Sequence, residues 1–90
     1  MSVKVRIPLL LSKYANGQEL LGVAGYSPIG CAHNLVVQFP NIRRWLYDKQ
    51  GELRPQVWFF ANRERIPADE LTNLLRDGDE LFIFLALGGG

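Results

Sequence analysis

The chain has one cysteine, Cys31, so it cannot close an intramolecular disulfide, and a reducing cytoplasm is the default compartment. Its one histidine, His33, has no Cys, Asp or Glu at ligand spacing and falls on the expected solvent side of a helix, which argues against a metal site or a histidine base. No apolar run approaches the roughly 20 residues of a membrane span. The start, MSVKVRIPLLL, lacks the apolar core and small-residue cleavage site of a signal peptide. Charge of one sign is missing too: ten Lys and Arg face nine Asp and Glu, for a net charge of +1. With no basic stripe interleaved with aromatics, nucleic acid is not an expected partner. Nor is there a glycine-rich loop followed by Lys and Ser/Thr, so the chain has no nucleotide-binding motif of that kind.

What remains is a globular balance of 48% hydrophobic and 21% charged residues over 90 positions, enough for one small core. Val3 to Pro8, VKVRIP, alternates as a half-buried strand, with Val3, Val5 and Ile7 inward and Lys4 and Arg6 outward. Asn16-Gly17 is a hairpin-type dipeptide, and a short strand is expected from about Glu19 to Val23. Ser27-Pro28 reads as an N-cap with proline in the first helical position. Ile29, Ala32, Leu35 or Val36, and Phe39 then recur at helical spacing. Pro40 ends that helix by pushing Phe39 out of helical geometry. A short helical turn held by Ile42, Trp45 and Leu46 follows, then the aromatic strand QVWFFAN, a turn or short helix over ADELTNLL, an Asp77-Gly78 turn and a last strand from Glu80 to Ala86. The order is β, β, α, β, short helix, β. Its compact solution is an α+β domain with the helix across one face of a mixed sheet.

Strand periodicity then separates two sets of residues. Val57, Phe59, Ala61, Leu81, Ile83 and Leu85 face the helix, whereas Trp58, Phe60, Phe82 and Phe84 face away. An aromatic face with no second layer over it is expected to be a docking surface. Cys31 reads as a small core residue rather than an activated thiol, because no base stands beside it in sequence. The Arg43-Arg44 pair reads as a solvated face.

The stretch FPNIRRWLYDKQGELRP, the strand VWFFAN and the tail LRDGDELFIFLALGGG resemble the small sulfur-carrier proteins of the ubiquitin-like β-grasp group. That group includes the small subunit of molybdopterin synthase, the thiamine-pathway carrier and a carrier used in cysteine synthesis. The Asp77-Gly78-Asp79 turn and the terminal Gly89-Gly90 carry the resemblance most specifically. Three positions depart from it: Leu85 falls where the group commonly has proline, Gly88 where it commonly has alanine, and Arg63 follows Asn62 where the group commonly has glycine.

The resemblance implies a four- to five-stranded β-grasp over residues 1–87 with one main helix, its first and last strands parallel at the sheet centre, and a flexible tail over 88–90. It implies a protein carrier rather than an enzyme, with no bound cofactor. An E1-like partner would use ATP to adenylate the Gly90 carboxylate and convert it to a thiocarboxylate, Gly88 and Gly89 giving the tail freedom to thread a narrow channel. A large synthase subunit or another accepting enzyme would take the sulfur, molybdopterin being the expected product. Leu85 and Leu87 join Trp58, Phe60, Phe82 and Phe84 as expected partner-binding residues, with a second copy of the chain as another occupant of that face. The competing reading is a non-covalent β-grasp module, or a protein modifier that forms isopeptide bonds without carrying sulfur.

Overall fold

The computed structural model describes residues 1–86; Leu87 and the glycines Gly88, Gly89 and Gly90 lie outside the described residues. Five strands form one mixed sheet: β1 (Ser2–Arg6), β2 (Leu20–Ala24), β3 (Val57–Ala61), β4 (Glu64–Ile66) and β5 (Glu80–Leu85), in the spatial order β2-β1-β5-β3-β4. β1 and β5 run parallel at the centre, in the register Lys4 to Glu80, Val5 to Leu81 and Arg6 to Phe82. The other pairings are antiparallel. This is the ubiquitin-like β-grasp architecture.

Helix α2 (Pro28–Gln38) crosses one face. The Ser27 hydroxyl accepts a hydrogen bond from the Gly30 amide at 3.1 Å, satisfying one of the free donors of the first turn. At the other end Phe39 leaves helical geometry at φ −131° and ψ 82°, as the following Pro40 requires. The buried stripe of α2 is Pro28, Cys31, Ala32 and Leu35. Ile29, expected to point inward, is exposed. One residue past Pro28 is a rotation of about 100° around the helix, which carries Ile29 off the stripe that Pro28 begins.

The strands place Val3, Val5, Val57, Phe59, Leu81 and Ile83 beneath α2, joined by Ile42 and Leu46 from the segment after Pro40. Two short helices complete that layer: α1 (Leu9–Ser12), between β1 and β2, and α3 (Arg43–Leu46). α1 was not expected. It turns the β1–β2 connection from a tight hairpin into a longer one, with the Asn16-Gly17 turn, at φ 56° and 78°, placed after it. Close packing is visible at Gly25, where a Cβ would stand 2.7 Å from the Cys31 sulfur.

β4 was also absent from the pattern reading. Ala61 and Glu64 pair across a two-residue turn in which Asn62 and Arg63 both have positive φ, 51° and 76°. This is the left-handed geometry that Asn-Gly ordinarily supplies, and Arg63 adopts it with a Cβ.

Candidate functional site

The face of the sheet turned away from α2 carries the aromatic set. Phe60 stands opposite Phe82 and Trp58 opposite Phe84 across the β3–β5 ladder. Their rings form a chain of tilted and edge-to-face contacts: Trp58 to Phe84 at 6.1 Å, Phe84 to Phe60 at 6.3 Å and Phe60 to Phe82 at 6.3 Å. Such pairs contribute about 0.5–1.5 kcal/mol each beyond area burial, so the cluster is ordered before any partner arrives. Phe82 and Phe84 remain 36% and 42% exposed, and Trp58 and Phe60 are half-buried.

Cations border this apolar centre. On one side Arg6 of β1 lies beside Phe82 and pairs with Glu80 at 3.2 Å, both side chains more than two-fifths exposed. On the other, the Arg65 guanidinium of β4 lies 3.9 Å from the centroid of Trp58, a close cation–π contact. Arg6, Phe60, Asn62, Arg63, Glu80, Phe82 and Phe84 line an open depression of about 720 Å³.

Leu85 does not belong to this face. At 7% exposure it sits in the core opposite Val57, and its expected role in partner binding is corrected accordingly: alternation along β5 sends it to the helix side with Leu81 and Ile83. The expected site residues Leu87, Gly88, Gly89 and Gly90 fall outside the described residues. Ala86, the last described residue, donates its amide to the Gln56 carbonyl at 2.7 Å.

Cys31 is fully buried and burial pushes its thiol pKa up, the reverse of what an activated thiol needs. His33 is exposed on α2, and among the described residues no group of His, Cys, Asp and Glu could hold a metal ion. No helix among them is long and apolar enough to cross a membrane.

The Asp77-Gly78-Asp79 turn has a clear structural task. Gly78 takes φ 87°. Asp79 then accepts hydrogen bonds from the Arg76 amide at 2.7 Å and from the Asn62 side-chain amide at 2.8 Å, while the Asn62 side-chain oxygen accepts from the Glu80 amide at 3.2 Å. The Arg76 and Asn62 bonds hold the Asp79 carboxyl below its ordinary pKa. This clamp ties the β3–β4 turn to the start of β5 and so sets the register that brings the aromatic pairs together.

Neither a family profile nor a curated sequence relative matches the chain, and the likeness is carried by structure. CysO of Mycobacterium tuberculosis superposes with a TM-score of 0.79 at 26% identity, over 94% of this chain and 99% of that one. The small archaeal modifier protein 1 (SAMP1) of Methanosarcina acetivorans gives 0.81 at 26% identity, over 99% and 96%. CysO from an Amycolatopsis orientalis BexX/CysO complex gives 0.81 at 24% identity, over 98% and 99%. The chain is similar to these proteins over nearly its whole length and shares their ubiquitin-like β-grasp fold. Its structural neighbours are small carrier or ubiquitin-like proteins, not catalytic enzymes.

Sequence reasoning found the aromatic face with Arg6 outward beside it, but missed Arg65 on its other side. Arg65 sits on a strand too short to show a period, and only Asn62 hinted at the turn before it, with Arg63 masking the usual Asn-Gly signal. A second cationic region also went unread, because its members come from separate segments: Lys13 and Tyr14 after α1, Arg43 and Arg44 on α3, and Lys49 and Arg54 beyond it. Arg44 donates to the Tyr14 hydroxyl at 3.2 Å, and that bond is the main cause lowering the Tyr14 pKa. Trp45 stacks near Tyr14 at 6.5 Å and keeps its buried indole N–H without a hydrogen-bond partner.

Proposed function

We propose that the chain is a sulfur carrier whose Gly90 carboxylate is the reacting group and whose aromatic sheet face docks the enzymes that load and unload it. The exposed chain of four aromatic rings, held in register by the Asp79 clamp, carries this reading. Monomers seldom display such a patch, and its apolar centre with a charged border is the anatomy of an interface hot spot. The BexX/CysO complex supports the reading, since there a protein of this shape is bound to a second protein.

A free carboxylate is a poor acyl donor. An ATP-using partner transfers AMP to the Gly90 carboxylate and releases pyrophosphate. A sulfur nucleophile from that partner then displaces AMP; where it is a persulfide, the acyl disulfide formed is cleaved by a second thiol, which takes the partner's sulfur into a disulfide and releases the thiocarboxylate. The chain contributes recognition and an unhindered terminus; the nucleotide chemistry belongs to the partner.

The acceptor follows from whichever enzyme binds the loaded carrier. A molybdopterin-synthase large subunit is the candidate that the sequence resemblance favours. The likeness to the small archaeal modifier protein favours a second reading, in which the same activated terminus is joined to lysine side chains of other proteins.

The test is to incubate the chain with its activating enzyme, ATP and a sulfur source, and to follow intact mass. Sulfur should replace one oxygen in the native chain. It should not do so in a variant lacking Gly90 or in one extended by a residue. Productive loading of the extended variant would show that the terminus is not the reactant, and accumulation of isopeptide conjugates without thiocarboxylate would establish the modifier reading.

A further inference from the structure

Half of the cations of the chain, Lys13, Arg43, Arg44, Lys49 and Arg54, meet at one corner on the helix side of the sheet, away from the aromatic face. Arg43, Arg44, Lys49 and Arg54 line an open depression of about 750 Å³ together with Tyr14 and Tyr47. Among the described residues none of these five cations is in an ion pair; the salt bridge found is Arg6 to Glu80, elsewhere. The one carboxylate lining the depression, Asp48, is committed to its own loop, where one oxygen accepts the Gln50 and Glu52 amides, both at 2.9 Å.

The guanidiniums are positioned rather than loose. Arg44 donates to Tyr14 and lies 5.7 Å from the Trp45 ring centroid, while the Arg54 Nε donates to the Arg44 carbonyl at 3.0 Å and leaves its terminal nitrogens free. The corner also adjoins the exit of the C-terminal segment. Gln56, which holds Ala86, lines a neighbouring hollow with Arg44, Trp45 and Arg54.

We infer that this basic corner is a second contact for the protein that activates Gly90, and that it engages a carboxylate-rich part of that protein's surface. The inference rests on the carrier reading. From Ala86, the four residues Leu87 to Gly90 reach at most about 14 Å when fully extended. An active site holding Gly90 therefore brings its own protein within about 14 Å of Ala86, whose partner Gln56 shares a hollow with Arg44 and Arg54 of this corner. Five cations against the single Asp48 carboxylate would repel a basic surface and attract an acidic one, raising the encounter rate in a salt-dependent way. The breadth and openness of the depression, and the exposure of Arg43, Arg44 and Lys49, suit a protein surface better than an enclosed small anion.

The experiment uses the activating enzyme purified from the source cells by ATP–pyrophosphate exchange that depends on this chain. Arg43→Glu and Lys49→Glu should each raise the KM for the chain about fivefold while leaving kcat and the circular dichroism spectrum unchanged. Raising NaCl from about 50 to about 500 mM should raise KM for the native chain and much less for the Arg43→Glu/Lys49→Glu double variant. Equal KM values and equal salt dependence for native and double variant would overturn the corner contact while leaving the carrier reading intact. Absence of any exchange with the native chain, tested on cell fractions that activate other carriers, would overturn both. Saturable shifts of the amide resonances of residues 43–54 by inorganic phosphate or a short oligoribonucleotide, with KM unchanged in the variants, would also overturn it, the corner then serving a different anion.

Discussion

Two residues show how a local rule is bent or enforced. Arg63 holds φ 76° in the β3–β4 turn, a conformation that costs an L-residue with a Cβ about 1 kcal/mol more than glycine. Arg63→Gly is therefore expected to stabilise the fold, but by less than about 1 kcal/mol, since glycine also loosens the unfolded chain. Urea denaturation of the two proteins checks this, with a raised midpoint at unchanged slope as the expected result. Asp79 enforces its rule through charge. Its folded pKa lies below the ordinary 3.8, so the unfolded chain takes up the proton first as pH falls. The Asp79 contribution is thus present above about pH 4 and lost as pH falls through the lowered folded value. Asp79→Asn should lower stability at pH 7 and flatten the acid limb of the stability profile below about pH 4; an unchanged acid limb would show that the clamp is not a source of the pH dependence.

At the scale of elements, β3 and β5 divide the work between their two faces. Phe59, 1% exposed, anchors the inner face, and Phe59→Ala should cost about 3–5 kcal/mol by leaving a cavity the size of a ring. Phe60 and Phe82 serve the outer face. Phe60→Ser or Phe82→Ser should leave the domain folded yet weaken binding of the activating enzyme more than tenfold, a loss of over ~1.4 kcal/mol in isothermal titration. Unfolding of these variants, with binding per folded molecule unaffected, would return the aromatics to the core. This division was legible in the sequence because alternation has a period of two and both strands are long enough to display it. α2 was legible through Ser27, Pro28 and Pro40, which mark its ends chemically. The three-residue β4 and the four-residue α1 were not, since each is shorter than the period needed to recognise it and owes its conformation to tertiary contacts. Leu85 shows the same limit from the other direction: family resemblance drew it into the partner-binding set, whereas the parity of its position in β5 already placed it inside. The basic corner was invisible because only the fold unites Lys13, Arg43, Lys49 and Arg54.

For the whole molecule, the sheet is packed on one side and aromatic on the other with its last strand central, an arrangement that on the proposed reading makes the domain a handle for its own terminus. The parallel β1–β5 pair fixes that strand in the middle of the sheet, and just past its end the Ala86 amide donates to the Gln56 carbonyl. The proposed carrier reading puts sulfur on the Gly90 carboxylate; the Cys31 thiol, the other group that could hold it, is fully buried with a raised pKa. The decisive measurement is high-resolution mass spectrometry of the chain isolated from its own cells, with fragmentation to locate any sulfur acquired. The account predicts sulfur in place of one oxygen, confined to C-terminal fragments that contain Gly90. A persulfide located at Cys31, or a Gly90 carboxylate that never carries sulfur under any condition in which the activating enzyme and ATP are present, would contradict it.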